Sequence, residues 1–461
     1  MKNKTFALVI ILFYSSHAAI SQEIIKDSIY SNILKEQRAI EVVLPDKYKP
    51  GSGERYEVTY VTDGEWNTKI VAQLQRFAGY QFMPPNIIVS LPNTYINKEN
   101  MRNRDLTPTH IVQNQLSGGA DNYIAFLKTE LIPYIEKKYP TKGARTYHGG
   151  SLGGLFGLYT FFKEPELFQS YTLSDPAFWW DNGLVMKMAS QKLDSLPNPE
   201  RTLFFTGREG KPLQEMGVKQ MDSIFRAKAP AALHWKCAVY NGETHNSMIF
   251  KTVYDGFKFT YEGYTSEPIE FHPMAGIVLK DKPFNLYCFP NEFQTVRYTT
   301  DGTEPTPASP KITNGITPVT ISSQLIIKAF DARKDYDRTM KGDFTIGTVL
   351  PVVKKPGKIK PGGLDTLAGT IGGYIEIKEE GYYIFGLMHP SMNTKLSLGN
   401  QPLFDYDTAT GKGSDQSYIL PLTKGFYPIQ IKYAGNKAPD LMYLAPGKED
   451  PSPIPTEIQY H

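Results

Sequence analysis

Several scarcities bound what this chain can be. Its 461 residues include two cysteines, Cys237 and Cys288, too few for a disulfide scaffold and without the histidine spacing of a zinc site. They fall in different domains on the reading below, so two buried free thiols are expected. Net charge is only +3, with 50 Lys and Arg against 47 Asp and Glu, which leaves no basic field for a nucleic-acid partner. No apolar run reaches the roughly 20 residues of a membrane-spanning helix. Histidines number eight, so each can be weighed singly as a base.

What is present begins with a leader. Lys2 and Lys4 precede the apolar run Phe6–Tyr14 and the small residues Ala18, Ala19 and Ser21. This reads as a secretory signal peptide over 1–21, cleaved before Gln22, with no cysteine nearby for a lipid anchor. The expectation is export to the periplasm or the extracellular space, without a membrane anchor.

The remaining length implies two or three domains. From Gln22 to about Thr265, strand-like and helix-like runs alternate. Strands are expected at Ile40–Leu44, Tyr56–Thr62, Ile87–Leu91, Thr146–His148, Tyr171–Ser174, Thr202–Thr206 and Trp235–Tyr240. Helices are expected at Asp121–Lys138, Leu152–Lys163, Leu184–Lys192, Leu213–Ala227 and Ser247–Tyr261. The alternation argues an α/β fold with a mostly parallel sheet flanked by helices, whose sites form at the carboxyl ends of strands.

One stretch concentrates the chemistry. Arg145–Phe156 reads RTYHGGSLGGLF, a G-x-S-x-G element (Gly149, Ser151, Gly153) between a strand and a helix. Such a turn exposes a serine hydroxyl and aims the following helix's first amides at it. A serine needs a base. His245, in the loop Asn241–Ser247 between a strand and a helix, is the candidate; His148 is expected to pack beneath the turn. Glu209, after the penultimate strand, is the expected acid, because the order Ser, acid, His suits this architecture. Asp175 and Glu243 are its rivals. The amide of Leu152 and one from Gly64 or Glu65, in the loop after Val61, would hold an oxyanion.

These elements resemble the esterase branch of the α/β-hydrolases, which includes siderophore esterases, feruloyl and acetylxylan esterases and the S-formylglutathione hydrolase group. The resemblance rests on Tyr60–Glu65, Arg102–Thr109, Gly118–Asp121, Glu130–Glu136, the serine turn, Phe178–Trp180 and Glu243–His245, and covers most of residues 36 to 262. It implies that Arg102, Arg104, Asp105, Trp179 and Trp180 shape the substrate site, with Arg102 or Arg104 steering an anionic or phenolic group; a structural ion pair between Arg104 and Asp105 is the other reading. The chain departs from the family at Gly150, before the serine, and at Ser174-Asp175-Pro176-Ala177. No cofactor or metal is implied.

Beyond Thr265 the texture changes. Residues 266–349 carry short alternating runs and Asp301-Gly302, a hairpin signal. The block Val296–Pro307 resembles the immunoglobulin-like module at the C-terminus of chitobiases and β-hexosaminidases. Lys354–Gly363 reads as a linker. Gly381–Leu387, Lys395–Leu398 and Lys424–Tyr433 resemble a PA14-type β-sandwich, with His389–Asn393 where calcium-binding members place aspartates. The reading is therefore a secreted serine esterase with two β-sandwich accessory domains, acting on carbohydrate-linked acetyl or feruloyl esters. Its alternatives are a catecholate-trilactone siderophore esterase and a polysaccharide-binding protein without catalysis.

Overall fold

A computed structural model describes residues 24–461 except 79–81, 198–199, 267, 291–293, 354, 368, 389–392, 408–411, 414–416 and 436. The leader read over 1–21 and most of the loop 389–393 lie outside the described residues. The chain divides into two units, one of residues 1–79 and Pro85–Phe257 and one of residues 80–84 and Lys258–His461.

Strands buried on both faces make the centre of the first unit. β3 (Tyr56–Thr62) and β4 (Asn86–Leu91) are buried at every position, the polar Glu57, Thr59, Asn86 and Ser90 included, as in central strands covered on both faces. With β1 (Ile24–Ser31), β2 (Glu36–Val43), β5 (Thr141–Gly150), β6 (Ser170–Ser174), β7 (Thr202–Arg208) and β8 (His234–Tyr240) they form one sheet, in the order β1-β2-β4-β3-β5-β6-β7-β8. β3 to β8 run parallel, while β1 and β2 pair antiparallel at one edge. The expected α/β-hydrolase class, a mostly parallel sheet with helices, is what the unit shows.

The helices are α1 (Gly64–Ala78), α2 (Arg102–Leu106), α3 (Ala120–Phe126), α4 (Ile132–Lys138), α5 (Leu152–Lys163), α6 (Trp180–Lys192), α7 (Lys211–Glu215), α8 (Val218–Lys228) and α9 (Met248–Thr260). The single helix expected over Asp121–Lys138 is α3 and α4 joined through a π turn at Leu127–Leu131. α5 is buried from Leu152 to Phe162, an apolar cylinder between sheet and neighbouring helices. Aromatic rings fill the core, Tyr147 lying 5.3 Å from Phe168 and 5.8 Å from Phe156 between ring centroids. Fully burying one such side chain is worth about 1.5–3 kcal/mol.

The second unit is all β apart from helical turns. The expected division into separate sandwiches at 266–349 and 350–461 is not how the strands pair. Ala275–Leu279 runs parallel to Asp343–Gly347 on one side and to Ser417–Leu422 on the other, so two strands of the first stretch share a six-stranded sheet with four of the second. Gly276 permits this: at φ 143°, a Cβ there would stand 2.1 Å from the Ile419 carbonyl oxygen. Ile419 itself packs with the apolar core of the 269–329 strands. The expected linker is also pinned, with the Lys360 amide on the His461 carbonyl at 2.9 Å. Both cysteines are free, Cys237 half-buried in the first unit and Cys288 buried in the second. Among the described residues no helix is long and apolar enough to cross a membrane, and no cluster of His, Cys, Asp and Glu is arranged to hold a metal ion.

Candidate active site

The chain turns sharply between β5 and α5, and Ser151 takes the strain. Its backbone sits at φ 56°, ψ −116°, a conformation costly for a residue with a Cβ, and it is held there by neighbours. The Ser151 amide donates to the Ser174 carbonyl at 2.9 Å, and the Ala177 amide donates to the Ser151 carbonyl at 3.0 Å. A Cβ at Gly149 would stand 2.7 Å from the Gly153 carbonyl, so strand and helix close only over glycine. Buried Tyr147 braces the turn: its hydroxyl donates to the Gly153 carbonyl at 2.8 Å and shares a 2.9 Å hydrogen bond with Thr62 Oγ1.

Ser151 opens into a cleft of about 480 Å³. His245 and Asn246 line one part, Asp63, Asn67 and Arg102 another, and Trp66, Ile70 and Ile249 give it apolar walls. Trp66 is 62% exposed, a ring offered to whatever enters. The Ser151 hydroxyl makes no hydrogen bond to any described residue, and His245 shares the cleft with it.

The acid that meets His245 is Asp175, not Glu209. His245 Nδ1 lies 2.6 Å from Asp175 Oδ2. Asp175 follows β6, has φ 41° and is fully buried. Glu209, one residue past β7, is exposed; its amide donates to the Tyr240 carbonyl at 3.0 Å, and no hydrogen bond or ion pair joins its carboxylate to His245. The correction has a geometric cause. β8 lies beside β7, so chain order favoured the end of β7, but the loop from Asn241 carries the imidazole past that end to β6. The other rival, Glu243, pairs with Lys251 at 2.7 Å and accepts from Ser247 Oγ.

His148 is excluded by its surroundings. It is fully buried in β5 with Nδ1 3.0 Å from the Thr172 carbonyl, and burial pushes its imidazole down to about 4 despite that hydrogen bond. It is neutral at neutral pH.

The expected substrate residues separate. Arg102 lines the cleft, but its fork is spent on Asp63, at 2.5 and 2.8 Å. Burial disfavours the Arg102 charge, yet the Asp63 pairing outweighs it and holds the guanidinium more firmly protonated than usual. Arg104 and Asp105 instead join a network behind the cleft. Arg38, buried, contacts Asp105 at 2.7 Å and Glu36 at 2.9 Å, and Arg104 contacts the same two carboxylates at 2.8 and 2.7 Å. They are the structural pair, not steering groups. Trp180 is buried with Nε1 donating to Thr109 Oγ1 at 3.2 Å, and Trp179 is half exposed; neither lines the cleft. Leu152 opens α5 and Gly64 opens α1, each with a helix's unsatisfied first amides, but none of Leu152, Gly64 and Glu65 lines the cleft; the residues of α1 that do are Trp66, Asn67 and Ile70.

Sequence reading missed Asp63, Trp66, Asn67, Ile70, Asn246 and Ile249 as cleft residues and Arg208 as a partner of Asp175. The signal for Asn246 and Ile249 was there, since both flank His245 at the start of a helix. Trp66 was visible too, directly after the Asp63-Gly64-Glu65 loop.

Residues 31–227 match the family described as "Putative esterase", and residues 273–340 match the chitobiase/β-hexosaminidase C-terminal domain. The chain is 25% identical over 218 residues to the siderophore triacetylfusarinine C esterase of Aspergillus fumigatus, covering 43% of this chain and 74% of that protein. It is 31% identical over 123 residues to the siderophore enterobactin esterase of Emericella nidulans, covering 25% of this chain and 40% of that one. To the ferri-bacillibactin esterase BesA of Bacillus subtilis it is 37% identical over 71 residues, 15% of this chain and 25% of that one. The first unit of this chain is therefore an esterase-type α/β-hydrolase, a serine ester hydrolase joined to C-terminal β structure.

Proposed function

We propose that this enzyme hydrolyses the ester bonds of siderophores, with Ser151 as nucleophile, His245 as general base and Asp175 as the group that orients and stabilises the imidazole. The observation that carries the catalytic assignment is the 2.6 Å contact between buried Asp175 and His245 in the cleft that holds Ser151. With Nδ1–H donated to the Asp175 carboxylate, Nε2 is left to take the serine proton.

The steps balance. Ser151 Oγ attacks the ester carbonyl while its proton passes to His245, and the tetrahedral oxyanion is held by the Leu152 amide at the start of α5. Collapse breaks the C–O bond, and the alcohol leaves with the proton from His245. Water, deprotonated by His245, then releases the acid and restores Ser151.

For the substrate class, support comes from three relatives named for three different siderophores. The cleft suits a substrate with aromatic or apolar faces, since Trp66, Ile70 and Ile249 wall it and the Arg102 charge is already met by Asp63. The carbohydrate-ester reading rests on the appended β structure alone.

The test is hydrolysis by the purified chain of a catecholate trilactone siderophore, triacetylfusarinine C, feruloylated arabinoxylan and acetylated xylan, side by side. Preference for either siderophore supports the proposal, and preference for a polysaccharide ester overturns its substrate class. Ser151→Ala should lower kcat about 10⁴-fold or more with the fold intact, and retained activity would remove the mechanism.

A further inference from the structure

The mechanism above leaves one contact of Asp175 unused. Arg208, the last residue of β7, places Nε 2.6 Å from Asp175 Oδ2, the oxygen that also meets His245 Nδ1. Oδ1 of the same carboxylate is buried and has no partner among the described residues. A buried carboxylate with a free oxygen would ordinarily spread its two partners over both oxygens. Here a guanidinium and an imidazole converge on one.

The strand ends explain the approach. β6 and β7 are parallel neighbours with Leu173 opposite Phe205, so Asp175 and Arg208 leave the sheet side by side. Asp175 is fully buried and the Arg208 side chain is 21% exposed, so the pair is screened far less than a surface ion pair.

We infer that Arg208 is a positioning residue: it holds Asp175 in the rotamer that meets His245, and its charge offsets part of the field by which a buried carboxylate would favour the imidazolium. This rests on the site reading above. A protonated His245 cannot accept the serine proton, so the offset extends activity toward lower pH. The other charged groups nearby are spent on partners. Asp63 and Arg102, across the cleft, pair at 2.5 Å; Glu243 of the histidine loop pairs with Lys251 of α9 at 2.7 Å; Asp255 of α9 accepts from Tyr240 at 2.6 Å. Glu209 is exposed to solvent, and His148 in β5 is neutral. Arg208 is the cation that touches the acid.

The experiment is the pH profile of kcat/KM for a soluble aryl acetate, for the full chain, Arg208→Gln, Arg208→Lys and Ser151→Ala. Removing a unit charge a few ångströms from the imidazole should move the acid limb of Arg208→Gln upward by about one pH unit. Its plateau should fall about tenfold with KM little changed. Arg208→Lys keeps the charge, so its limb should stay with the unmodified enzyme even where its plateau drops.

A limb of Arg208→Gln that superimposes on that of the unmodified enzyme overturns the proposal. So does a limb of Arg208→Lys that moves as far as that of Arg208→Gln, because the effect would then be geometric and not one of charge. Should Arg208→Gln not fold, Arg208→Met takes its place as the variant without the charge, and the same two outcomes decide. Activity surviving in Ser151→Ala would bring down the site reading itself. A dead Ser151→Ala with an unmoved Arg208→Gln limb would remove only the role of Arg208.

Discussion

Two histidines flank the serine turn, and they differ in everything except residue type. His148, three residues before Ser151 in the chain, is sealed inside the sheet on a backbone carbonyl, with Nε2 lacking any partner among the described residues. His245, nearly a hundred positions later, is 38% exposed in its side chain and rests on a buried carboxylate. Proximity in sequence placed the first beside the nucleophile. Access and a counter-charge place the second there chemically, because a base must reach the serine and must be stabilised once it is charged. The same division separates two carboxylates at neighbouring strand ends, buried Asp175 and exposed Glu209.

The strongest way to break the comparison is to take the carboxylate from His245. Asp175→Asn keeps the shape but leaves Nδ1 against a neutral amide, much as His148 sits against a carbonyl. We expect kcat to fall about 10⁴-fold with a folded protein, whereas Glu209→Gln should stay within about twofold. Steady-state hydrolysis of one aryl ester by both variants settles it, and a larger loss in Glu209→Gln would return the acid to the end of β7.

A second test moves to α2, where Arg102 faces the cleft and Arg104 faces the buried network. Arg38→Met removes the network's most buried cation and leaves Asp105 and Glu36 to Arg104 alone. Breaking a buried pair costs about 3–5 kcal/mol, to be read as a lower urea midpoint, with kcat per folded molecule unchanged. The pH sign follows from Glu36. Burial alone would raise its carboxyl, but hydrogen bonds from Arg104 and Arg38 bring it below the ordinary glutamate value. A depressed carboxylate contributes stability above its unfolded pKa, and the contribution is lost as pH falls through the folded value. The gap between Arg38→Met and the unmodified protein should therefore narrow below about pH 4.

How much of this was legible follows the same line between local pattern and lateral order. β3, Tyr56–Thr62, was readable to the residue because its alternation of bulky β-formers carries the strand signal by itself. α1 was not, since Trp66 and Phe77 lie exposed among its polar residues and blur the apolar stripe. The serine turn was legible because its glycines stand between a strand-like and a helix-like run, with a histidine and acids following later strands. The acid was not, because the sequence tells which residues follow strands but not which strand end the histidine loop reaches. Arg104 and Asp105 carried a motif without its context: only the folded positions of Glu36 and Arg38, some 70 residues earlier, show that their charges are already satisfied. The shared sheet of the second unit hangs on Gly276, a lone glycine in a short strand, which no periodicity marks.

The smallest effect sharpens the comparison from the buried side. His148 titrates near 4 in the folded chain, against about 6.5 when unfolded, because burial penalises its charged form. The folded state thus binds fewer protons than the unfolded state between these values. Stability from this group is complete above about pH 6.5 and is lost as pH falls toward 4, by up to about 3 kcal/mol. His148→Gln fits the space and cannot titrate, so its urea midpoint should fall less steeply over that interval than that of the unmodified protein, even where its stability at neutral pH is lower. The acid limb of hydrolysis should not move, because on the proposed mechanism His148 takes no part in the proton transfer. A limb that shifted in His148→Gln would mean that the two histidines share a field, and the separation of roles across the turn would fail.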